Sequence, residues 1–426
     1  MTSSRPSASA SSLAFLAAVA VLLFIAAEPA HAAASTSWKQ FGGNPAHTGT
    51  TRGSTVFTSD NIQDLTLAWT RNPRFGEVSP AYARGRVFVA VPRLERTILL
   101  VLDAQTGRTL WRGGGLPGGT PGQPVVAAGY VYVTEVDRTG WPDAHLAVYP
   151  VRGCGSVRCE PIWTASWFQG SEEGGNFIVG DGQATVARGH VYVNSITRLL
   201  VFDAAGCGTA TCQPVWTAPH DFGYGVATVA GDRVYAQDAS QNVAAYPADG
   251  CGEPTCLPLW SGRIGYANPI ATSAKVFIQS SQRLAVYPAA GCASSPCEPS
   301  WTVGTGVNGI GGMAVDGRQV YIANHRLIVT AAEGCGGSVC PASWIGEADG
   351  GATGVSVTND VALVSSSESM AAFNTAGCGQ QVCQPIVTWP FGGAAVYYGR
   401  VIQPVIGEDI VLLGGSELRA FRLRSP

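Results

Sequence analysis

The 426-residue chain carries little charge. Asp, Glu, Lys and Arg make up 13% of it, with 26 basic and 29 acidic side chains and a formal net charge of −3. Lysine is nearly missing, since Lys39 and Lys275 are the only two. This composition supplies neither the basic surface that nucleic-acid binding requires nor a polybasic membrane patch. We therefore expect no nucleic-acid partner.

Short catalytic motifs are also missing. The chain has no His-Glu-x-x-His zinc motif, no Gly-x-Ser-x-Gly elbow and no phosphate-binding loop in its glycine-rich stretches. Two adjacent pairs, His220-Asp221 and Glu172-Glu173, are interpreted as loop residues, because neighbouring side chains in an extended chain point apart. These absences favour binding over catalysis.

An apolar run long enough to cross a membrane is missing after the N-terminus. Arg5 precedes an uncharged apolar stretch at residues 13–27, and Ala30-His31-Ala32 offers a small-x-small cleavage site. This pattern predicts an export signal over residues 1–32 and a mature domain over residues 33–426. No cysteine lies near the cleavage site, so we expect no lipid anchor and no transmembrane anchor after cleavage.

Cysteine, by contrast, is abundant and occurs in pairs. Its 12 cysteines form six pairs with members five positions apart. Export favours disulfides, so each pair is predicted to be bonded within its own turn. A metal or redox site is the alternative, but zinc takes four ligands and each turn offers two without histidine, so no metal is expected. The predicted bonds are Cys154–Cys159, Cys207–Cys212, Cys251–Cys256, Cys292–Cys297, Cys335–Cys340 and Cys378–Cys383.

These cysteine pairs mark a repeat. They begin at positions 154, 207, 251, 292, 335 and 378, which are 41 to 53 residues apart. Each repeat contains alternating apolar strands and a closing Trp strand, a period typical of propeller blades. A cysteine-free first unit and an incomplete last unit bring the count to eight. LTLAWT, residues 65–70, supplies the missing last strand. The prediction is an all-β, eight-bladed β-propeller whose N-terminal strand closes the last blade, with disulfide-stapled hairpins.

Two segments resemble a known superfamily. LDAQTGRTLW, residues 102–111, is similar to the tryptophan-docking repeat of propellers of the pyrroloquinoline-quinone (PQQ) type. WKQFGGNPAHTGTT, residues 38–51, resembles the start of many proteins in that superfamily. The resemblance implies eight blades with each Trp wedged between neighbours.

The same resemblance leaves function open. The superfamily includes quinoprotein dehydrogenases, outer-membrane assembly scaffolds of the BamB kind and exported proteins without assigned activity. The quinoproteins carry a disulfide between adjacent cysteines, which this chain lacks. They hold calcium with a Glu, an Asn and often an Asp, and the resemblance assigns these ligands to no particular residues here. No cofactor is expected, and PQQ with calcium is the alternative.

Candidate binding residues lie in uneven loops on one face of the propeller. The turn of blade 2 over residues 135–145 and the link to blade 3 over residues 165–177 are expected to be long, and long loops on a rigid scaffold often carry binding groups. Apart from Trp38 in the N-terminal motif, the two Trp residues outside the repeat positions fall there, where they either pack the loops together or bind. The candidates are Trp141, Trp167, Phe168, Glu172, Glu173, Asn176, Arg93, Arg96, Asp137, Arg138, Tyr224, Tyr266, Asn268 and Asn308.

The resulting expectation is a secreted or cell-envelope propeller. It acts as a monomeric binding or scaffold module for an unidentified protein or small extracellular ligand. The alternative is a PQQ-dependent dehydrogenase or another enzyme with its site at the channel mouth.

Overall fold

β-strands make up nearly all the regular structure of the protein. The computed structural model describes residues 36–51, 55–72, 77–137, 143–168, 183–195, 197–219, 223–238, 242–263, 268–280, 282–294, 296–306, 311–391 and 403–424. Their strands form eight sheets, and the one helix in these ranges is the 3-10 turn Ile62–Asp64. Among the same residues, no helix has the length and apolar character of a membrane span.

Each sheet is a blade with four principal strands, named A to D in order across the sheet. The A strands of blades 1 to 8 are Pro80–Ala83, Val125–Ala127, Ala184–Ala187, Gly223–Ala230, Ile270–Ala271, Met313–Val315, Ala352–Thr358 and Val405–Ile406. The B strands are Arg86–Pro92, Tyr130–Asp137, His190–Asn194, Arg233–Asp238, Lys275–Gln279, Gln319–Asn324, Val361–Ser366 and Val411–Leu413. The C strands are Arg96–Asp103, Asp143–Pro150, Arg198–Asp203, Asn242–Pro247, Arg283–Pro288, Arg326–Ala331, Ser369–Asn374 and Leu418–Leu423. The D strands are Thr109–Pro117, Trp163–Phe168, Trp216–Pro219, Trp260–Arg263, Trp301–Gly304, Trp344–Gly346, Val387–Pro390 and Leu65–Arg71. Short additional strands are Thr50–Thr51, Gly119–Pro121, Arg158–Cys159, Val339–Cys340 and Val382–Cys383.

The blades form a closed ring. The A strand of each blade contacts the A strand of the next, from blade 1 round to blade 8 and back to blade 1. Leu65–Arg71 pairs antiparallel with Leu418–Leu423, so a strand from the start of the chain completes the last blade. The predicted eight-bladed, all-β fold and its N-terminal closure are confirmed.

Side chains alternate along each strand, so successive residues pack against the two neighbouring blades. In blade 3, Val191 and Val193 pack in the core shared with blade 2, while Tyr192 packs in the core shared with blade 4. A strand buried on both sides needs apolar residues at successive positions, which explains the continuous apolar runs. The hydrophobic core is therefore divided into layers between neighbouring blades.

The ring has two faces with different connections. The A–B turns and the cysteine-bearing C–D turns lie on one face, called the cysteine face. The B–C turns and the links between blades lie on the other, called the link face. This division follows from the up-and-down order of the four strands in every blade.

Tryptophan and glycine join neighbouring blades. Trp163 of blade 2 lies against Gly206 of blade 3, and a Cβ added to Gly206 would lie 2.8 Å from the indole ring. Gly206 also has φ +89°, a conformation that disfavours residues with a side chain. The same contact recurs in the pairs Trp69–Gly107, Trp111–Gly153, Trp216–Gly250, Trp260–Gly291, Trp301–Gly334 and Trp344–Gly377. Trp docking between blades is thereby confirmed.

Each cysteine turn does more than lengthen a hairpin. All six predicted disulfides are present within their own turns, with Cα atoms 5.5–5.7 Å apart. The turn also bonds to the D strand of the preceding blade. In blade 3, the Thr164 N–H donates to the Ala210 carbonyl at 2.9 Å, and the Cys212 N–H donates to the Thr164 carbonyl at 2.8 Å. Every disulfide-bonded turn therefore also joins two neighbouring blades.

Removing one disulfide tests whether it also stabilises the contact between blades. Cys207→Ala with Cys212→Ala should lower the free energy of unfolding by about 2 kcal/mol, the chain-entropy value for so short a loop. Hydrogen exchange at the Thr164 amide should become faster, because the turn that accepts its hydrogen bond loses its constraint. The matched double variant of Cys251 and Cys256 should leave Thr164 unchanged. A loss of stability with unchanged Thr164 exchange would show that the disulfide acts only inside its turn.

Ring closure is tested by deletion. Removing residues 33–72 takes away the D strand of blade 8 and exposes an unpaired edge, so the protein should aggregate or fail to be secreted. The control deletion removes residues 36–51 and keeps the closing strand. It shows how much of the effect comes from losing the segment before that strand. An unchanged melting temperature in the longer deletion would contradict closure by this strand.

Candidate functional site

A segment near the start of the chain contacts the innermost strands of the ring. Residues 38–51, called the strap, run along the ends of the A strands at the cysteine face. Trp38, Phe41 and His47 of the strap are buried. The sequence indicated this segment only through its resemblance to other proteins and did not predict its position.

The strap bonds to successive blades in order. Its contacts with the A strands of blades 1 to 7 are Trp38 N to Tyr82 O at 2.9 Å, Val126 N to Lys39 O at 2.7 Å, Val186 N to Gln40 Oε1 at 3.0 Å, Val229 N to Pro45 O at 2.8 Å, Ala271 N to Ala46 O at 3.1 Å, Val315 N to Thr48 O at 2.7 Å and Val357 N to Gly49 O at 2.9 Å. Just beyond it, the Val56 N–H donates to the Glu408 carbonyl of blade 8 at 3.0 Å. The strap thus follows the inner ends of the A strands at the cysteine face, where it lines a cavity of about 560 Å³ together with the A–B turns of blades 3 to 5.

His47 anchors the strap to two blades. Its Nδ1 lies 2.8 Å from the Thr228 hydroxyl, and its Nε2 lies 3.0 Å from the Thr185 hydroxyl. Thr228 donates its own proton to the Pro269 carbonyl at 2.6 Å, so it accepts from Nδ1–H and leaves Nε2 to accept from Thr185. Both ring nitrogens are satisfied in the neutral imidazole. Burial lowers the pKa of His47 from 6.5 to about 3.

This anchoring predicts acid sensitivity. In the unfolded chain His47 gains a proton near its ordinary pKa, whereas in the folded protein it stays neutral down to pH about 3. Stability from this residue is therefore complete above pH 6.5 and falls by roughly 1 kcal/mol per pH unit below it. His47→Asn, which suits the positive φ of 55° at this position, should remove this part of the slope in urea unfolding between pH 6 and pH 4. An equal slope in the variant would show that other groups cause the acid sensitivity.

On the link face, blades 1 and 2 rise above the others. Their B strands have seven and eight residues, against five or six in blades 3 to 7. Gly119–Pro121 adds a strand beside the raised end of the blade 2 B strand. This raised part of blades 1 and 2 is called the wall. The uneven link face was expected, but the structure builds it from longer hairpins rather than from loops alone.

Blade 2 differs from the expected loops in two places. Its B strand continues to Asp137 and its C strand begins at Asp143, so both ends of the expected turn over residues 135–145 are strand residues. Its D strand continues to Phe168, so Ser166 and Trp167 are strand residues rather than link residues. Cross-strand pairing with the raised C strand explains both extensions.

Described candidate residues lie in several places. Arg93 and Arg96 flank the B–C turn of blade 1, where the Arg93 N–H donates to the Arg96 carbonyl at 2.9 Å. Half-buried Trp167 packs against Phe202 with ring centroids 5.9 Å apart. Asn268 Oδ1 accepts the Val226 N–H at 2.8 Å and so joins blades 4 and 5. Of these, the two arginines lie together on the wall.

Three more candidate residues are strand residues of blades 2 and 4. Asp137, Phe168 and Tyr224 are placed by backbone at strand positions on the link-face side. The others lie outside the described residues and stay predictions. They are Trp141, Glu172, Glu173, Asn176, Arg138, Tyr266 and Asn308.

Leu94 is a wall residue that sequence reasoning missed. It is 88% exposed at the tip of the blade 1 B–C turn. Gly118 packs beneath this turn, since a Cβ there would lie 2.8 Å from backbone atoms of Glu95 and Arg96. The turn therefore packs against Gly118, and its apolar Leu94 side chain is exposed between charged residues. An apolar residue inside the charged run Arg-Leu-Glu-Arg was the available signal.

Amides, rather than carboxylates, bridge the inner strands. The Gln123 side chain donates to the Pro80 carbonyl at 2.6 Å, and the Gln403 side chain donates to the Val355 carbonyl at 2.9 Å. Within the described ranges, no group of three or more His, Cys, Asp or Glu residues is placed to hold a metal ion. We derive no step through a quinone cofactor.

Comparison with known proteins agrees with this architecture. Residues 37–144 match the family model described as outer membrane protein assembly factor BamB. No curated protein sequence matches the chain. The quinohemoprotein alcohol dehydrogenase from Comamonas testosteroni is 12% identical, with a TM-score of 0.64 over 93% of this chain and 82% of that one.

Two further structures are similar. BamB from Moraxella catarrhalis is 11% identical, with a TM-score of 0.57 over 85% of this chain and 98% of that one. A europium-containing methanol dehydrogenase is 11% identical, with a TM-score of 0.60 over 91% of this chain and 98% of that one. The chain thus has an eight-bladed propeller fold similar to the folds of these quinoprotein dehydrogenases and of BamB. Since these relatives include both dehydrogenases and an assembly factor, the fold alone does not assign an activity.

Proposed function

We propose that the protein is an extracytoplasmic binding module that takes a protein partner on the wall. Six disulfides suit an oxidising compartment. The wall rises from the link face, so a partner approaches it from that side. Secretion by a cleaved signal and a monomeric state belong to the same proposal.

The exposed Leu94 side chain carries the proposal. It is the most exposed large hydrophobic residue among those the structure describes. Arg93 and Arg96 flank it, and arginine beside an apolar anchor is a common composition for binding hot spots. Because Gly118 supports the turn, little conformational entropy is lost when a partner covers it.

Quinone-dependent oxidation is the alternative that the dehydrogenases of similar fold suggest. It would require a bound quinone and a calcium ligand set, whereas the exposed Leu94 between Arg93 and Arg96 requires only a partner surface. Binding is therefore the better supported function.

Site-specific photo-cross-linking tests the binding face. A photoreactive amino acid at position 94 should give a discrete adduct with an extracellular protein of the producing culture. The same group at position 257, an equally apolar residue that is 75% exposed in a cysteine turn, should not. Unlabelled wild-type protein and Leu257→Ser should compete for the adduct, whereas Leu94→Ser should not.

Substitutions extend this test to the candidate residues. Arg96→Ala, Trp141→Ala and Trp167→Ala should each weaken partner binding by at least about 1 kcal/mol, the usual threshold for a contributing contact. Trp167→Ala should also lower the melting temperature, because its ring packs against Phe202. Adducts only from position 257, or normal binding by all of these variants, would place the partner on another surface.

A further inference from the structure

Three residue types that act together in nucleophilic catalysis lie in one row across blade 2. Glu135 on strand B is paired with His145 on strand C, and His145 is paired with Ser166 on strand D. Directly opposed residues of antiparallel strands have Cα atoms about 4.5–5.5 Å apart, and their side chains share a face. His145 therefore lies between Glu135 and Ser166 in this row.

All three side chains point toward blade 1. Val133, two residues before Glu135, and Ala147, two residues after His145, pack in the core between blades 1 and 2. Ala165, the neighbour of Ser166, packs in the opposite core between blades 2 and 3. Since side chains alternate along a strand, Ser166 faces the same way as Glu135 and His145.

Electrostatics agree with this direction. Burial raises the pKa of the Tyr149 hydroxyl, and the negative charges of Glu160 and Glu135 raise it further. Tyr149 faces blade 1, where its hydroxyl donates to the Gly114 carbonyl. The Glu135 carboxylate therefore lies close enough to Tyr149, on the same side of the blade, for its charge to be felt.

Burial is graded along the row. Glu135 is fully buried, His145 is half-buried and Ser166 is exposed. A buried carboxylate can hold an imidazole in one orientation and stabilise its protonated form, while an exposed hydroxyl stays open to a substrate. The order acid, base, nucleophile thus runs from the interior to the surface.

The row is a feature of the wall. In blade 3 the hairpin turns at the corresponding height, where the Ser195 N–H donates to the Arg198 carbonyl at 2.9 Å. Blade 5 does the same with Ser280 and Arg283 at 2.7 Å. In blade 2 the pairing continues above the row, and Pro121 of the added strand pairs with Glu135. The raised hairpin therefore places the three residues inside paired sheet, which fixes their backbones.

We propose that Ser166, His145 and Glu135 form an acyl-transfer site for carboxylic esters. The Ser166 Oγ attacks the ester carbonyl carbon and its proton passes to the His145 ring. The bond from that carbon to the leaving alcohol breaks, and His145 returns the proton to the alcohol. Water then attacks the acyl carbon, loses a proton to His145 and frees the carboxylic acid, while Ser166 regains its proton. Glu135 is a positioning residue that orients His145.

A fluorophosphonate probe and p-nitrophenyl acetate test this site on the full-length protein. The probe should modify Ser166, identified by peptide mass spectrometry, and the protein should release p-nitrophenol. Ser166→Ala should abolish both reactions. His145→Gln should slow labelling at least a hundred-fold, and Glu135→Gln at least ten-fold. Ser300→Ala removes an exposed hydroxyl from the D-strand side of blade 5 and should leave both reactions unchanged.

The pH profile separates catalysis from structure. Labelling of the wild-type protein should fall on acidification, because a protonated imidazole cannot accept the Ser166 proton. His145→Gln should lose this dependence while its circular dichroism stays unchanged. Absence of labelling in folded wild-type protein, or labelling of Ser166 that His145→Gln does not slow, would overturn the proposal. Either result leaves partner binding at Leu94 untouched, so the two proposals fail separately.

Discussion

Pairing of Leu65–Arg71 with Leu418–Leu423 is the interaction on which the rest of the structure depends. It turns a row of eight sheets into a ring, so every blade has two neighbours and every hydrophobic layer is covered on both sides. Only in a closed ring do the A strands of successive blades lie where the strap can contact them. The separation into a cysteine face that carries the strap and a link face that carries the wall follows from that closure.

Two small contacts repeat around this ring and fix its geometry. Tryptophan lies on a glycine of the next blade, and each cysteine turn bonds to the D strand of the blade before it. Because both contacts join neighbours, a shift in one blade is opposed from both sides. Blades 1 and 2 are therefore held in place by their neighbours. The wall extends above them as paired strands.

The sequence predicted those features that a local repeat encodes. Trp69-Thr70 matched the end of other repeats and so located the closing strand, and the fixed cysteine spacing located the staples. The strap was not predictable in this way, because most of its contacts use backbone atoms of the A strands and leave no side-chain pattern. The row of Glu135, His145 and Ser166 is equally hidden, since cross-strand register brings together residues far apart in the chain. Leu94 was visible in the sequence, but its exposure depends on the supported turn.

The spacing of the cysteines also bears on how the chain folds. Each disulfide joins residues five positions apart, so it needs only local chain motion and can form as soon as its own hairpin is present. The closing sheet joins segments some 350 residues apart and has to wait for the C-terminal strand. Contacts of such long range slow folding and leave an edge exposed in the meantime. We therefore expect covalent order within the blades to precede the closure of the ring.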